Sequence, residues 1–169
     1  EELALLKADV PEIREIPTIR FHEAKQIMEE KFGHKSKNRY DLNPDEEVLL
    51  CQWAKEEHDS DFVFVTHFPS AKRPFYAKDD PEDPKLALSF DLLFRGLEIT
   101  TGGQRIHDYQ EQMDKLAARK MNAELFESFT MLHKYGMPPH GGLGIGLERL
   151  TMQLLGLNNI REASMFRVI

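Results

Sequence analysis

Residues 141–149 combine a predicted strand face made of glycines with an arginine at the start of a predicted helix. Glycines alternate there with Leu143, Ile145 and Leu147. At the two-residue period of a strand, three apolar side chains share one face and the other face stays bare, so a ligand can approach the backbone closely. Arg149 follows in the first turn of a predicted helix, where the helix dipole disfavours a cation. This arrangement favours an anionic ligand over Arg149; a solvated arginine after a strand, a turn and a helix is the structural alternative.

Glu98, Thr101 and Arg105 form a second group of candidates, at the end of the longest strand signal, residues 86–101. The apolar positions change parity along this segment, and a bulge at Gly96 would explain the change. Glu98 would then lie among apolar side chains, where a carboxylate needs a buried arginine or a metal ion as its partner. The glycines after Thr101 predict a sharp bend that would bring the three candidates together.

Two further side chains have reactive chemistry. His67 lies at the end of a predicted strand over residues 62–68, where a histidine is either a structural hydrogen-bonding group or a ligand contact. Cys51 is the only cysteine and lies in a helical pattern, so we expect a buried, inert thiol. The sequence has no zinc-ligand spacing, no nucleophile elbow and no Walker A loop.

The elements that must position these residues follow from hydrophobic periodicity and from turn residues. Helices are predicted at residues 21–32, from Pro44 after an Asn43 cap, at 109–122, at 123–135, and from 147 to a stop at Gly156. Strands are predicted at residues 62–68, 73–77, 86–101 and 142–147. We therefore expect an α/β domain of the α+β kind, in which helices pack on an antiparallel sheet.

Composition restricts the class of protein. A chain of 169 residues, 41% hydrophobic and 30% charged, fits one domain with a real core. A formal net charge of -7 argues against a general nucleic-acid binder, although a few placed arginines still allow an enzyme that handles a polyanion. No apolar run approaches about 18 residues and no signal peptide is visible, so we expect a cytoplasmic protein without a membrane partner.

Three segments, taken together and in order, resemble the aspartyl-tRNA synthetases of the archaeal and eukaryotic type, which also occurs in some bacteria. They are Arg-Pro-Phe-Tyr at residues 73–76, the run from Ser-Phe-Asp to Gly-Gln-Arg-Ile-His at 89–107, and Pro-Pro-His-Gly-Gly to Gly-Leu-Glu-Arg at 138–149. The last segment resembles motif 3 of the class II synthetases. The resemblance implies the class II synthetase catalytic fold, an antiparallel sheet flanked by helices, here incomplete.

The same resemblance implies roles for individual residues. Glu98 and Thr101 match the positions that hold Mg²⁺ on the ATP phosphates, and oxygen ligands suit this hard cation. Thr101 also belongs to the aspartate-binding residues, and Arg105 matches the arginine that binds the substrate's side-chain carboxylate, where a planar bidentate donor fits best. The family usually has an Asp just before Pro69 that holds the substrate ammonium. Because Thr66-His67 stands there instead, His67 is the candidate for that contact.

The implied cofactor sites and partners follow from motif 3. Gly146, Leu147, Glu148 and Arg149 would bind ATP, with Arg149 against adenine and reaching the γ-phosphate; Arg149 and Glu98 are the implied catalytic residues. The implied reaction is attack of aspartate on the α-phosphate of ATP. The aspartyl group would then pass to tRNA(Asp), or also to tRNA(Asn). A homodimer is implied for the protein at full length.

The sequence departs from the family in several respects. Nothing in it resembles the anticodon-binding OB domain, motif 1, or motif 2 with its transition-state arginine. Residues 1–169 are therefore expected to be the C-terminal portion of a synthetase catalytic domain, inactive by itself. The sequence ends in Met165-Phe166-Arg167-Val168-Ile169, where the family has Phe-Pro-Arg-Asp and a short tail.

Three other functions remain as alternatives. The first is an asparaginyl-tRNA synthetase, but Arg73-Pro74 and the Gly-Gln-Arg at residues 103–105 favour aspartate. The second is a synthetase paralogue that makes asparagine through the same adenylate and has no tRNA domain. The third is a non-catalytic binding module derived from the fold, against which the presence of Glu98, Arg105 and Arg149 argues.

Overall fold

The computed structural model describes residues 1–13 and 15–166, so the end of the sequence at residues 167–169 lies outside the described part. The α-helices of that part are α1 (Glu2–Leu5), α2 (Phe21–Phe32), α3 (Pro44–His58), α4 (Tyr109–Ala118), α5 (Glu127–Lys134) and α6 (Leu147–Leu155). Its strands are β1 (Thr18–Arg20), β2 (Phe62–Thr66), β3 (Ser89–Phe94), β4 (Leu97–Arg105) and β5 (His140–Ile145). Three short 3-10 helices complete it: Ser70–Lys72, Ala123–Phe126 and Ile160–Ala163.

Helices α2 and α6 have the predicted limits and α3 has the predicted start, because local signals decide these positions. Helix α4 ends at Ala118, before the predicted end at residue 122. Helix α2 ends at Gly33, whose φ of 64° closes the helix in the left-handed conformation. Helix α3 begins at Pro44, and Asn43 and Glu46 form a capping box around its first turn. The predicted helix at residues 123–135 is instead a 3-10 turn followed by the shorter α5.

The strands form one five-stranded sheet in the order β1-β2-β3-β4-β5. The three pairs from β2 to β5 are antiparallel, which confirms the predicted mainly antiparallel sheet. Strand β1 pairs with β2 in parallel, a short strand that the sequence did not indicate. Residues 73–77 are not a strand as predicted; only Ala77 forms an isolated bridge, with Arg105.

The predicted strand over residues 86–101 is in fact a β-hairpin made of β3 and β4. Arg95 and Gly96 form its two-residue turn with φ values of 48° and 88°. Positive φ at both central residues is typical of the type I′ turn, which matches the twist of the flanking strands. The prediction of a bulge at Gly96 was therefore wrong: this glycine supplies a turn, and the irregularity lies further along β4.

Apolar side chains cover both faces of the sheet. On one face Val63, Val65 and Leu93 pack against helices α2 and α3. On the other face Phe62, Phe94 and Ile99 form a smaller cluster with partly buried side chains of α6. Cys51 belongs to the first core, where burial raises the pKa of its thiol to about 12, as expected for an inert cysteine.

Within the described residues, no helix is both long enough and apolar enough to cross a lipid bilayer.

Candidate active site

A β-bulge in β4 decides which side chains share the site. Leu92 pairs with Thr100 and Leu93 pairs with Glu98, so Ile99 is an extra residue on β4. Because side chains alternate along a strand, one extra residue reverses the parity after it. Glu98 and Thr101, three positions apart, therefore lie on the same face of the sheet, contrary to regular alternation.

Arg105 joins this face without the predicted sharp bend. Residues 101–105 continue as regular strand and pair with β5, so Arg105 has the same parity as Thr101. Its guanidinium lies against Gly142 of β5, where an added Cβ would come within 2.8 Å of the Arg105 Nε. The bare face predicted from the glycine alternation is therefore the face that carries Arg105, whereas Leu143 and Ile145 are exposed.

Thr101, Arg105 and Gly142 border a cavity of about 290 Å³ at the junction of β4, β5 and the loop after β2. Two guanidinium groups, those of Arg73 and Arg105, lie on its wall together with Tyr76, Ser89 and Thr101. Arg105 lies 4.7 Å from the centre of the Tyr76 ring, which stabilises the cation from one side. Within the described part of the chain, no carboxylate pairs with Arg105, so its guanidinium N–H groups can donate to an anionic ligand.

Arg73 is in a different state, because Asp91 binds it in a bidentate pair. The Arg73 Nη1 and Nη2 atoms donate to the two Asp91 carboxylate oxygens at 3.0 Å and 2.8 Å. The Thr101 hydroxyl donates to the same carboxylate at 2.6 Å, and Arg73 also donates to that hydroxyl oxygen at 3.1 Å. The Arg73 guanidinium packs on Phe68, 3.8 Å from the ring centre.

The loop that carries Arg73 and Tyr76 is held by helix α4. The fully buried Gln112 donates to the Phe75 carbonyl at 3.1 Å, between those two residues. Lys78 pairs with Glu111 of the same helix at 2.7 Å. Helix α4, predicted only as a structural element, therefore fixes the position of the cavity wall.

Further contacts join the start of that loop to the end of α4. Lys115 pairs with Asp79 and donates to the Ser70 hydroxyl, and Arg119 donates to the Ser70 carbonyl at 2.7 Å. A buried side chain with several partners costs more to displace than an exposed one. The loop between β2 and β3 is thus preorganised although it contains no strand.

Glu98 and Arg149 meet beside the cavity. The Arg149 Nη1 donates to the Glu98 carbonyl at 2.8 Å and lies 3.5 Å from its carboxylate. Glu47 of helix α3 accepts the Glu98 backbone N–H at 2.7 Å. Burial raises the pKa of the Glu98 carboxyl, and the charge of Asp91 raises it further. Glu98 therefore has the cationic partner expected for it, but burial still disfavours its charged form.

The half-buried Glu98 carboxylate, with Glu47 and Asp91 near it, is the observation that bears on a divalent cation. No three His, Cys, Asp or Glu side chains of the described residues form a metal-binding group. Mg²⁺ often needs only one or two protein oxygens, because it retains waters and binds phosphate. Glu98 fits this requirement, and Thr101 still has one lone pair beyond its bonds with Asp91 and Arg73. The donor set is thus suitable for a cation held largely by a nucleotide.

His67 does not belong to the cavity wall. Its backbone has a positive φ of 56°, and its Nδ1 lies 2.9 Å from the Thr66 hydroxyl. Its Nε2 lies 3.8 Å from Asp80, a buried carboxylate. These contacts support the structural interpretation of His67.

The helix start at residues 146–149 has the predicted form. Gly146 is the N-cap of α6, and its N–H donates to the Ile99 carbonyl at 2.8 Å. Leu147 is 66% exposed, so this turn is accessible to a ligand. ATP binding by Gly146, Leu147, Glu148 and Arg149 stays a prediction.

Sequence reasoning missed Asp91, Arg73 and Tyr76 as site residues, although all three lie in the segments that carry the resemblance. Asp91 could have been found, because a carboxylate flanked by Phe90 and Leu92 in a strand needs a cation by the same argument that applied to Glu98. Which arginine supplies that cation depends on the loop, and no periodic signal predicts it.

Comparisons with known proteins show the family to which the chain belongs. Over residues 4–168 the sequence matches the family described as tRNA synthetases class II (D, K and N). An aspartate–tRNA(Asp/Asn) ligase of Deinococcus radiodurans is 50% identical over 171 residues, which cover 98% of this chain. An aspartyl tRNA synthetase from Entamoeba histolytica superposes with a TM-score of 0.88 at 33% identity over 99% of this chain.

An asparaginyl-tRNA synthetase from Pyrococcus horikoshii, solved with asparaginyl-adenylate, is also similar. Its TM-score is 0.83, with 33% identity over 98% of this chain. The chain spans only part of each relative: 39% of the Deinococcus protein, 35% of the Entamoeba chain and 38% of the Pyrococcus chain.

Proposed function

The chain belongs to the class II tRNA synthetases of the D, K and N group, and on that premise we propose that the protein is an aspartate–tRNA ligase. It would activate L-aspartate with ATP and transfer the aspartyl group to tRNA(Asp). Because the Deinococcus relative is named for both tRNA(Asp) and tRNA(Asn), tRNA(Asn) is a second acceptor to test. As the resemblance implies, the full-length protein would be a homodimer.

The observation that carries the proposal is the open guanidinium of Arg105 in the cavity. Its face lies on Tyr76 and its edge against Gly142, so its orientation is fixed before a ligand arrives. A fixed guanidinium fork binds a carboxylate through two parallel hydrogen bonds. An amide in the same place would leave one N–H facing another donor. The cavity therefore favours aspartate over asparagine.

The proposed activation of aspartate forms no covalent bond to the protein. An oxygen of the aspartate α-carboxylate attacks the α-phosphorus of ATP, the bond to the bridging oxygen of the β-phosphate breaks, and pyrophosphate leaves. Arg105 would hold the amino acid in place, and Arg149, at the start of α6, would bind the β- and γ-phosphates. Positioning and charge stabilisation are the main contributions of such a site.

Mg²⁺ would be held by Glu98 and Thr101 together with the phosphates. When bound, it would neutralise charge on the triphosphate, and the half-buried carboxylate of Glu98, close to Glu47 and Asp91, supports a cation there. Arg149 also lies beside the Glu98 carboxylate, so the two cations would bind the same end of the nucleotide.

The alternative functions differ in the amino acid that is used or in whether the protein catalyses a reaction at all. An asparaginyl enzyme would need a site for a neutral amide, and Arg105 argues against this, because no carboxylate of the described residues pairs with it. A paralogue that makes asparagine would form the same adenylate but require ammonia rather than tRNA. A non-catalytic module would bind ligands without exchange of pyrophosphate.

The test is aspartate-dependent exchange between ATP and pyrophosphate in the protein at its full natural length. Arg105→Leu should raise the KM for aspartate by about 100-fold or more, because a charge-assisted bidentate pair is lost, while the KM for ATP changes little. Arg161→Leu, at an exposed arginine in the 3-10 helix Ile160–Ala163, is the matched control and should change neither constant. An equal rise in both KM values would make Arg105 a phosphate contact, and exchange with asparagine in place of aspartate would reject the proposed substrate.

A further inference from the structure

The backbone of Glu98 lies where the pairing of strand β4 stops. Strand β5 pairs with β4 only from Thr100 onward, so it does not reach Glu98. On the other side, Phe94 and Leu97 flank the two-residue turn as a hydrogen-bonded pair. Such pairs alternate along an antiparallel ladder, so Leu93 and Glu98, the next pair, exchange no hydrogen bonds. The N–H and the carbonyl of Glu98 therefore point away from β3, to a side where the described part of the chain has no strand.

Side chains of two helices take the place of a strand at this position. Glu47 of α3 accepts the Glu98 N–H at 2.7 Å, and Arg149 of α6 donates to the Glu98 carbonyl at 2.8 Å. A backbone N–H that is shielded from water and has no acceptor is costly, so the bond to Glu47 stabilises this part of the fold. The two helices thus fix the main chain of the residue whose carboxylate lies 3.5 Å from Arg149.

Helix α3 makes further contacts with the turn that precedes β4. The Cys51 sulfur accepts a hydrogen bond from the Gly96 N–H. Val48 packs against the same glycine, where an added Cβ would lie 3.1 Å from the Val48 Cγ2. Glu47 and Cys51 are four residues apart, so they lie on one face of the helix. That face of α3 therefore holds both the hairpin turn and the start of β4.

This anchoring matters because the bulge follows at once. Ile99 is the extra residue of β4, and a bulge disrupts the ladder and bends the strand. Regular pairing consequently sets the direction of the Glu98 side chain on neither side of the strand. The direction is set by the acceptor on α3 and by the donor on α6.

We propose that Glu47 is a positioning residue of the site: it accepts the Glu98 N–H and so holds the Glu98 carboxylate beside Arg149. The inference rests on the proposed function, in which Glu98 and Arg149 bind the nucleotide and its metal ion. The role belongs to the acceptor oxygen of Glu47 and not to its charge. A glutamine separates the two possibilities, because its amide oxygen still accepts an N–H although the side chain is neutral.

The experiment compares Glu47→Ala with Glu47→Gln in the protein at its full natural length. Calorimetric titration with ATP, in Mg²⁺ and without aspartate, measures binding in the absence of turnover. We expect Glu47→Ala to weaken ATP binding about 10-fold, because a partly buried N–H loses its acceptor, and Glu47→Gln to restore most of this loss. The KM for aspartate should change less than about threefold in either variant, because Tyr76 and Gly142 hold Arg105 independently of α3.

The matched control is Glu23→Ala. The Glu23 carboxylate accepts the Arg20 N–H at 2.8 Å, the same kind of bond, in the capping box at the start of α2. Thermal unfolding of both alanine variants measures the structural cost, and only the Glu47 variant should change ATP binding. A second check uses the background Glu98→Gln, in which Glu47→Ala should lose most of its effect on ATP binding, because the charge that it directs is gone.

The outcomes separate this inference from the function on which it rests. Equal losses in Glu47→Gln and Glu47→Ala would assign the effect to the charge of Glu47. That result, unchanged ATP binding in Glu47→Ala, or equal effects in both backgrounds overturns the positioning role and leaves the ligase proposal intact. Absence of aspartate-dependent exchange with ATP binding intact overturns the ligase proposal alone, and absence of ATP binding by the unsubstituted protein overturns both.

Discussion

At the scale of single residues, the site is a balance between carboxylates and guanidinium groups. Glu98 has Arg149 beside it, yet its pKa is raised by burial and by Asp91. Burial also raises the pKa of Glu47, whose carboxylate accepts the Glu98 backbone N–H. Arg73 is already paired with Asp91, so Glu47 and Glu98 share Arg149 as their cationic neighbour, and an added cation beside them would stabilise the protein.

Glu98→Gln is therefore expected to weaken the interaction with the metal and its nucleotide. The substitution keeps the shape of the side chain but removes the charge, and we expect aspartate-dependent pyrophosphate exchange to fall by about 10²-fold. The Mg²⁺ concentration for half-maximal ATP binding should rise in parallel. Glu57→Gln, at an exposed carboxylate paired with Lys31, is the control. Exchange at the unsubstituted rate would leave Glu98 with a structural role only.

Individual site residues were predictable where their chemistry conflicts with their surroundings. Glu98 among apolar neighbours and Arg149 at the positive end of a helix both break a local rule, and both lie at the site. Tyr76 breaks no such rule, because its role comes from the tertiary contact with Arg105. Asp91 breaks the same rule as Glu98 and was overlooked.

At the scale of elements, the junction of α2 and α3 depends on one buried carboxylate. Glu46 of α3 is fully buried and accepts from Lys25 of α2 at 2.7 Å and from the Asn43 N–H at 2.8 Å. Burial by itself raises the pKa of Glu46, but the hydrogen bonds from Lys25, Ser36 and Asn43 outweigh it and lower the pKa below 4.5. The ionised form therefore holds the two helices together.

The sign of the pH dependence follows from that lowered pKa. A carboxyl with a lower pKa in the folded state stabilises the protein above the unfolded pKa and loses this contribution as the pH falls through the folded value. Glu46→Gln should lower the free energy of unfolding by about 2 kcal/mol near neutral pH. The difference from the unsubstituted protein should shrink toward zero in strong acid.

Chemical denaturation at several pH values measures this difference. Glu29→Gln is a suitable control, because Glu29 is 59% exposed in its pair with Lys35 and such pairs contribute little. A Glu46→Gln effect of constant size from neutral to acidic pH would show that the hydrogen-bond geometry matters and the charge does not.

Elements with strong local signals were predictable, and those defined by partners were not. Gly33 ends α2 and the Asn43 cap begins α3, as expected from local chemistry. Strand β1 has only three residues and depends on its pairing with β2. The loop at residues 73–77 looks extended in sequence, but its hydrogen bonds go largely to other elements, including Gln112 of α4.

At the scale of the whole molecule, the sheet order places β5 at one end. Leu143 and Ile145 of this strand are 58% and 59% exposed. One side of β5 has no strand partner in the described part of the chain. An exposed apolar edge of this kind favours association, so solution measurements need several protein concentrations.

We predict that the 169-residue chain alone exchanges pyrophosphate at least about 10²-fold more slowly than the protein at full natural length. In the proposed function Arg105 would bind the amino acid and Arg149 would bind the β- and γ-phosphates, and no arginine of the described residues is assigned to the α-phosphate. Loss of one preorganised donor typically costs about 3–4 kcal/mol in the transition state. Exchange assays on the two proteins at matched concentration measure the difference. Equal rates would mean that these residues contain the complete machinery.

The bulge at Ile99 has a consequence for how β4 can vary. Side chains of a regular strand alternate between two faces, so residues two positions apart share a face. The extra residue Ile99 shifts this alternation by one position between Glu98 and Thr101. Deletion of Ile99 would leave Glu98 and Thr101 two positions apart in a regular strand, so both side chains would stay on one face and only the bulge would be lost. Straightening the strand without shortening it would instead place the two side chains on opposite faces, so the face that they share depends on the bulge and on the length of the segment together.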